Sequence, residues 1–243
     1  MVRLSDTVVW HDVECGSYAA DLPFWRELAD RVGGPVLELG AGTGRVTLDL
    51  AAHGHAVTAV DRDAQLLDEL GRRAAEGGLE VELVPADARE LRLEPRFGLA
   101  IASMQFLQIV GGPPGRSDVI AAAAASLNGD GHFAAAVAAV DESVAPRDAL
   151  PPVPDVGERD GWVYSSLPLD VRPEPGGVAV ERLRQRVSPA GELEEERHTQ
   201  LLDALTVEQL EREAARHALR AVERREIPST ADHVGSMVVV CRR

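Results

Sequence analysis

The sequence predicts an α/β fold: a parallel sheet wrapped by crossover helices, elaborated by an antiparallel β insertion. Three observations carry this. Between residues 36 and 140, short apolar runs alternate with helically spaced ones. A glycine-rich turn, Gly40-Ala-Gly-Thr-Gly44, stands where the first run gives way to the first helical stretch. From Trp162 to Ala204 come three extended segments, separated by turns rich in proline and glycine.

Each element follows from local chemistry. Trp10 to Tyr18 precedes a helix containing Leu22, Phe24, Trp25 and Leu28, whose aromatics are expected to pack it onto the sheet. Val36 to Leu39 is the first strand, and a helix beginning near Thr43 is stopped by His53-Gly54. Ala56 to Val60 is the second strand. Asp63 is placed to cap the helix carrying Leu66, Leu67 and Leu70, which Gly77-Gly78 ends. Val81 to Val84 and Phe97 to Ser103 read as strands three and four. Gly111-Gly-Pro-Pro-Gly115 reads as a loop and Ser117 to Leu127 as an Ala-rich helix stopped by Asn128-Gly129. Phe133 to Val140 is apolar throughout and reads as a strand buried on both faces. Pro146, Pro151, Pro152 and Pro154 argue against regular structure before Trp162. Trp162 to Arg172, Val178 to Val187 and Leu193 to Ala204 then form a meander. Thr206-Val-Glu-Gln209 opens a helix to about Ala218 with a capping box, and Arg220 to Ile227 and Ser236 to Cys241 pair antiparallel at the sheet edge. No internal repeat is present.

Composition bounds the function. The 243 residues suit one large α/β domain, and no apolar run reaches the ~20 residues that a membrane span needs. Met1 to Asp6 carries no apolar signal segment, so a cytoplasmic location is expected. Cys15 and Cys241 read as ordinary reduced thiols, and no residue spacing specifies a metal site. Lys plus Arg is 25 against 40 Asp plus Glu, a formal net charge of −15. A polyanion would be repelled, and the basic stretches Arg182–Arg186 and Arg216–Arg225 read as solvated faces. The expected partner is therefore a small molecule, with neither nucleic acid nor membrane; a homodimer is left open.

The chemistry concentrates at the glycine turn. Gly40, Gly42 and Gly44 permit a tight bend and close ligand approach, and the helix that follows directs free N–H groups at an anionic group. Asp61 ends the second strand 21 residues after Gly40, where a carboxylate can accept from two ribose hydroxyls. Asp87 follows the third strand on the same edge, where it can accept from an adenine amine. A nicotinamide dinucleotide is the competing ligand, but its fingerprint wants a small residue where this chain has Arg45. Glu38 places a negative charge before the turn, unfavourable for pyrophosphate and suited to a cation.

Glu38-Leu-Gly-Ala-Gly-Thr-Gly44, Asp61, Asp87-Ala88 and Ser103-Met-Gln-Phe-Leu-Gln108 resemble, in order and spacing, the motifs of class I S-adenosylmethionine-dependent methyltransferases. The resemblance covers about Tyr18 to Val140 and extends loosely to Arg243. It implies a Rossmann-like, doubly wound, seven-stranded sheet with an antiparallel last strand, and S-adenosyl-L-methionine as cofactor, with S-adenosyl-L-homocysteine as product. Gly40, Ala41 and Gly42 would line the methionine portion, with Met104 and Gln105 flanking it. Asp61 would hold the ribose, Asp87 and Ala88 the adenine, and Arg62 the adenine face. Tyr18, in an N-terminal lid, would lie near the cofactor. The implied organisation is a single domain: 1–32 as lid and helix, 33–140 as cofactor core, 141–204 as a β cap selecting the acceptor, and 205–243 as a helix and strand pair.

The reaction so implied is methyl transfer to an O, N or S atom of a small molecule, driven by in-line positioning. Trp162 and Tyr164 either line the acceptor pocket or pack. No general base is assigned; His11, His132 and His198 are candidates by residue type alone. The chain lacks the Asn/Asp-Pro-Pro-Tyr tetrad of amino-methylases and the Pro-Cys nucleophile of cytosine methylases. The alternatives are a protein that binds the cofactor without methylating, for regulation or a rearrangement, and an NAD(P)-dependent oxidoreductase.

Overall fold

Strands without a solvent-facing residue need cover on both sides, and the central strands of this chain obtain it. The computed structural model describes residues 6–138, 153–230 and 234–243. The expectations for Pro146, Pro151, Pro152 and the end of the fifth strand at Val140 lie outside the described residues. The helices are α1 (Asp6–Cys15), α2 (Leu22–Val32), α3 (Arg45–Ala52), α4 (Ala64–Glu76), α5 (Gly112–Ser126) and α6 (Val207–Ala215). The strands are β1 (Val36–Leu39), β2 (Val57–Asp61), β3 (Val81–Pro85), β4 (Phe97–Ala102), β5 (Leu127–Ala138), β6 (Asp155–Arg159), β7 (Trp162–Glu174), β8 (Gly177–Val187), β9 (Leu193–Asp203), β10 (Arg220–Ile227) and β11 (Ser236–Arg242). They form two compact units: Met1–Tyr18 with Val140–Ala204, and Ala19–Ala139 with Leu205–Arg243.

The larger unit is a seven-stranded sheet in the order β10-β11-β5-β4-β1-β2-β3. β1 pairs parallel with both β2 and β4, and β11 runs antiparallel between β5 and β10, so the last strand is reversed as expected. The strand order departs in opposite directions on either side of β1, which makes its carboxyl end a topological switch point. β1 and β4 are buried throughout, and Phe24 and Trp25 of α2 pack as anticipated. Asp63 caps α4 by accepting the Gln65 N–H at 2.9 Å, and Thr206 and Gln209 form the reciprocal capping box of α6. Two boundaries move. α5 begins at Gly112 rather than Ser117, because Pro113 and Pro114 occupy a first turn where an N–H has no intrahelical acceptor. β5 begins at Leu127, so Asn128-Gly129 stops the helix by passing straight into strand.

The smaller unit is a four-stranded antiparallel sheet, β6-β7-β8-β9, with α1 on it. β6 escaped the sequence reading: Pro154 sits just before the first residue of an edge strand, where no ladder N–H is missed. Trp10, Val9 and Val13 of α1 cluster with Tyr164, and Trp162 packs against them. The Trp10 and Tyr164 rings meet edge to face at 5.3 Å, so packing accounts for Tyr164. Arg182, Arg184 and Arg186 alternate along β8 and share one face. Glu14 accepts from Arg184 at 2.7 and 2.9 Å and from the Ser166 hydroxyl at 2.8 Å, Arg182 pairs with Asp155, and Arg186 reaches Asp6 and Glu194. The expectation that this stretch is a solvated face is therefore corrected: acids of α1 and the neighbouring strands complement it. Among the described residues no helix is long and apolar enough to cross a membrane.

Burial pushes the Glu14 carboxyl up, but the hydrogen bonds and charge of Arg184 outweigh it and hold it below the usual range. A depressed carboxylate contributes stability above its unfolded pKa and loses it as pH falls. Glu14→Gln should therefore cost roughly 3–5 kcal/mol at pH 7 and less near pH 3. Urea denaturation at the two pH values reads this; equal costs would refute it.

Candidate active site

The tips of β1, β2, β3 and β4 share the carboxyl edge of the sheet, which brings Glu38, Asp61, Asp87 and the segment after Ala102 to one side. The backbone of the glycine turn is bound from within. Gly40 and Ala41 both donate their N–H to the Val60 carbonyl, at 2.9 and 3.0 Å, and Gly44 donates to the Ala41 carbonyl at 3.0 Å. The Gly42 N–H goes to Asp61 Oδ2 at 2.9 Å. These amides are taken up within the chain, the β1–β2 pairing continuing past the end of β1 through Gly40 and Ala41. α3 also starts at Arg45, two residues later than anticipated.

The glycines instead admit neighbours of the chain itself. Gly40 has φ 72°, and a Cβ there would lie 2.2 Å from Phe106 Cδ2, so the Phe106 ring rests directly on the turn. Gly44 has φ 94°, and its Cβ would meet Leu70 Cγ at 2.6 Å. Phe106 was not singled out from the sequence; an apolar ring in a post-strand turn carries no sign of what it covers.

Glu38 is fully buried at the tip of the central strand. Its Oε2 accepts from Thr47 of α3 at 2.5 Å and its Oε1 from Ser103, just past β4, at 3.2 Å. Both oxygens are thus held by the chain, and Glu38 braces three elements around the turn. Burial raises its carboxyl to about 7, although Thr47, Arg45 and Ser103 pull the other way.

Asp61 has capacity to spare. Each oxygen accepts one main-chain N–H, from Gly42 at 2.9 Å and from Asp63 at 2.9 Å. A carboxylate offers about four lone-pair sites, so one remains on each oxygen, which fits a vicinal pair of ribose hydroxyls. Asp87 is engaged by Arg89, through the guanidinium at 2.6–3.1 Å and the main-chain N–H at 2.9 Å, which holds it down to about 2. Ala88 beside it is buried, and Arg62 is exposed, its charge also lowering Asp87.

The segment after β4 is tightly held. Met104 sits at φ 50°, a left-handed conformation costing on the order of 1–3 kcal/mol that persists only where surroundings impose it. Gln105 follows, half-buried, and Phe106–Gln108 make one 3-10 turn. The buried Gln108 side chain accepts the Ala138 N–H at 2.9 Å and donates to the Ala138 carbonyl at 3.3 Å, imitating a strand pair and fastening the turn to the end of β5. The sequence motif includes Gln108 but assigns it no role, since a single glutamine carries no pattern.

Other candidates stand on other elements. His132 pairs with Leu99, three residues before the end of β4 and so roughly 10 Å along the strands from its tip. His11, Tyr18, Trp162, Tyr164 and His198 belong to the smaller unit. Burial, with the Arg184 charge, lowers the His198 pKa.

The raised carboxyl of Glu38 has a definite sign for stability. The native state holds its proton between the unfolded value near 4.5 and the folded value of about 7, so stability falls as pH rises through that window. The wild-type chain should lose up to about 3 kcal/mol from pH 4.5 to 8 through this group. Glu38→Gln should remove that slope in denaturation curves, and an unaltered slope would sink the assignment.

The fold has counterparts among known proteins. Residues 36–131 match the family model of the methyltransferase domain. Ribosomal RNA small subunit methyltransferase A of Anaeromyxobacter dehalogenans (strain 2CP-C) is 36% identical over 165 residues, 65% of this chain and 53% of that protein. The chain thus spans about half the length of the curated relatives it matches. The sugar N-methyltransferase KedS8 from Streptoalloteichus sp ATCC 53650 shares the fold at a TM-score of 0.76 and 16% identity, over 100% of this chain and 96% of that one. The S-adenosylmethionine-bound amino pentose methyltransferase CalS10 from Micromonospora echinaspora gives 0.70 at 17% identity over 100% of both chains. The match to the methyltransferase domain is confined to residues 36–131, and the chain shares the Rossmann-like fold of these solved structures.

Proposed function

We propose that this protein methylates a nitrogen of a small polar molecule of the amino-sugar kind, with S-adenosylmethionine as donor. The observation that carries the reading is Asp61 at the tip of β2, with one unused acceptor site on each oxygen beside the glycine turn. KedS8 and CalS10, a sugar N-methyltransferase and an amino pentose methyltransferase, lend it support through the shared fold.

S-adenosylmethionine supplies a methyl group already activated on a sulfonium, so the protein need only hold donor and acceptor in line and dry. Asp61 would hold the ribose hydroxyls, Ala88 and Asp87 the adenine amine, and Arg62 the adenine face. Gly40, Ala41 and Gly42 would lie along the methionine portion, with Met104 and Gln105 flanking it. Glu38 acts behind the turn as a brace. A neutral amine presents its lone pair without prior deprotonation, so this acceptor class fits a site without an assigned general base. Acceptor choice is given to residues 141–204, which lie outside the match to the family model.

One rival has a specific observation behind it: the curated relatives are ribosomal RNA methyltransferases. Electrostatics oppose it, because 40 acidic residues face 25 basic ones, and Arg182, Arg184 and Arg186 are paired with carboxylates rather than free for phosphate.

Methyl-labelled donor offered in parallel to amino sugars and to small-subunit ribosomal RNA should label the former; label in RNA alone would overturn the reading. Asp61→Ala should weaken S-adenosylhomocysteine by roughly 100-fold or more in calorimetry, two charge-assisted hydrogen bonds being lost. Exchanging residues 141–204 for those of another methyltransferase should change the acceptors used and spare donor affinity.

A further inference from the structure

Two residues beside the glycine turn break the local rules of helix ends, and they do so together. Arg45 is the first residue of α3, where the helix dipole and the unpaired N–H groups disfavour a cation. Asp21 is the N-cap of α2, where an aspartate ordinarily accepts a main-chain N–H of its own helix; it makes no such bond. Its two oxygens instead accept from Arg45 Nη1 at 2.5 Å and Nη2 at 2.9 Å, and the Trp25 indole N–H donates to Oδ2 at 2.8 Å. The pair is shut away from water, with side-chain exposures of 10% for Arg45 and 2% for Asp21.

Stability alone does not explain this. Burying two charges costs several kcal/mol per ion, and well-packed apolar residues of similar volume hold helices together at least as well. What a bidentate pair adds is a fixed geometry. Here it fixes the residue that directly follows Gly44, at the point where the turn becomes α3. Arg45 and Asp21 are also the two charges that act on the buried Glu38 carboxyl, with opposite signs. Departures from local preference that cluster in this way are expected at functional sites.

We propose that Asp21 and Arg45 are positioning residues of the cofactor turn: their bidentate pair ties α2 to the first turn of α3 and so holds Gly40–Gly44 in the pose that receives S-adenosylmethionine. This rests on the cofactor reading above, and the test separates the two. S-adenosylhomocysteine binding by calorimetry and thermal melting are measured on the full chain. Asp21→Leu combined with Arg45→Met keeps apolar packing between the helices; it should stay folded and bind at least about tenfold more weakly. Arg45→Lys, which keeps the charge but not the fork, should fall between that variant and wild type. Arg116→Met with Glu213→Leu removes another buried ion pair, between α5 and α6, and should leave binding within about twofold.

A folded apolar variant with wild-type affinity overturns the role of the pair. Should that variant fail to fold, Arg45→Lys decides: folded with weakened binding supports the proposal, and folded with unchanged binding overturns it. Equal weakening by the Arg116 and Glu213 control also overturns it, since any lost ion pair would then do the same. A wild-type chain that binds no S-adenosylhomocysteine removes the cofactor reading itself, whatever the variants do.

Discussion

Glu38 stands at the tip of the central strand with its carboxyl shut away from water, and its two oxygens join β1 to α3 through Thr47 and to the segment beyond β4 through Ser103. A buried carboxyl is expensive unless its hydrogen bonds are made, so the positions of Thr47 and Ser103 are effectively set by it. Those positions in turn define the space beside the glycine turn. Met104 follows Ser103 directly, held in a left-handed conformation, and Phe106 lays its ring on Gly40. Gln108 secures the far end of the same segment to β5. The pocket edge is thus one connected hydrogen-bonded arrangement, and Glu38 is its innermost member.

The charge pattern shows a second economy. Each of the 25 basic residues is arginine, in a chain with 40 acids. A guanidinium fork matches a carboxylate at two points, which a lysine does not. Arg45 with Asp21, Arg184 with Glu14, Arg116 with Glu213 and Arg224 with Glu211 all use that match, the first three of them largely out of water. The acidic excess is left over once these pairs are made. The arginines serve internal geometry.

Local chemistry made much of the fold legible. The alternation of apolar runs, the cap at Asp63, the capping box at Thr206 and the terminal strand pair are set by residues within a few positions of one another, and each lies where the sequence pattern puts it. The start of α5 and the existence of β6 were hidden because proline was read as a breaker. At the first turn of a helix, or just ahead of an edge strand, its missing N–H is not missed.

The α/β class, the glycine turn at the end of β1 and the acids at the ends of β2 and β3 are legible from the residues alone, because strand and turn chemistry is local. What those groups face depends on tertiary packing: the turn amides are consumed by Val60 and Asp61, Phe106 covers Gly40, and Asp21 meets Arg45. Each of these joins residues distant along the chain. Sheet register and helix packing, which no short stretch encodes, bring them together or keep them apart.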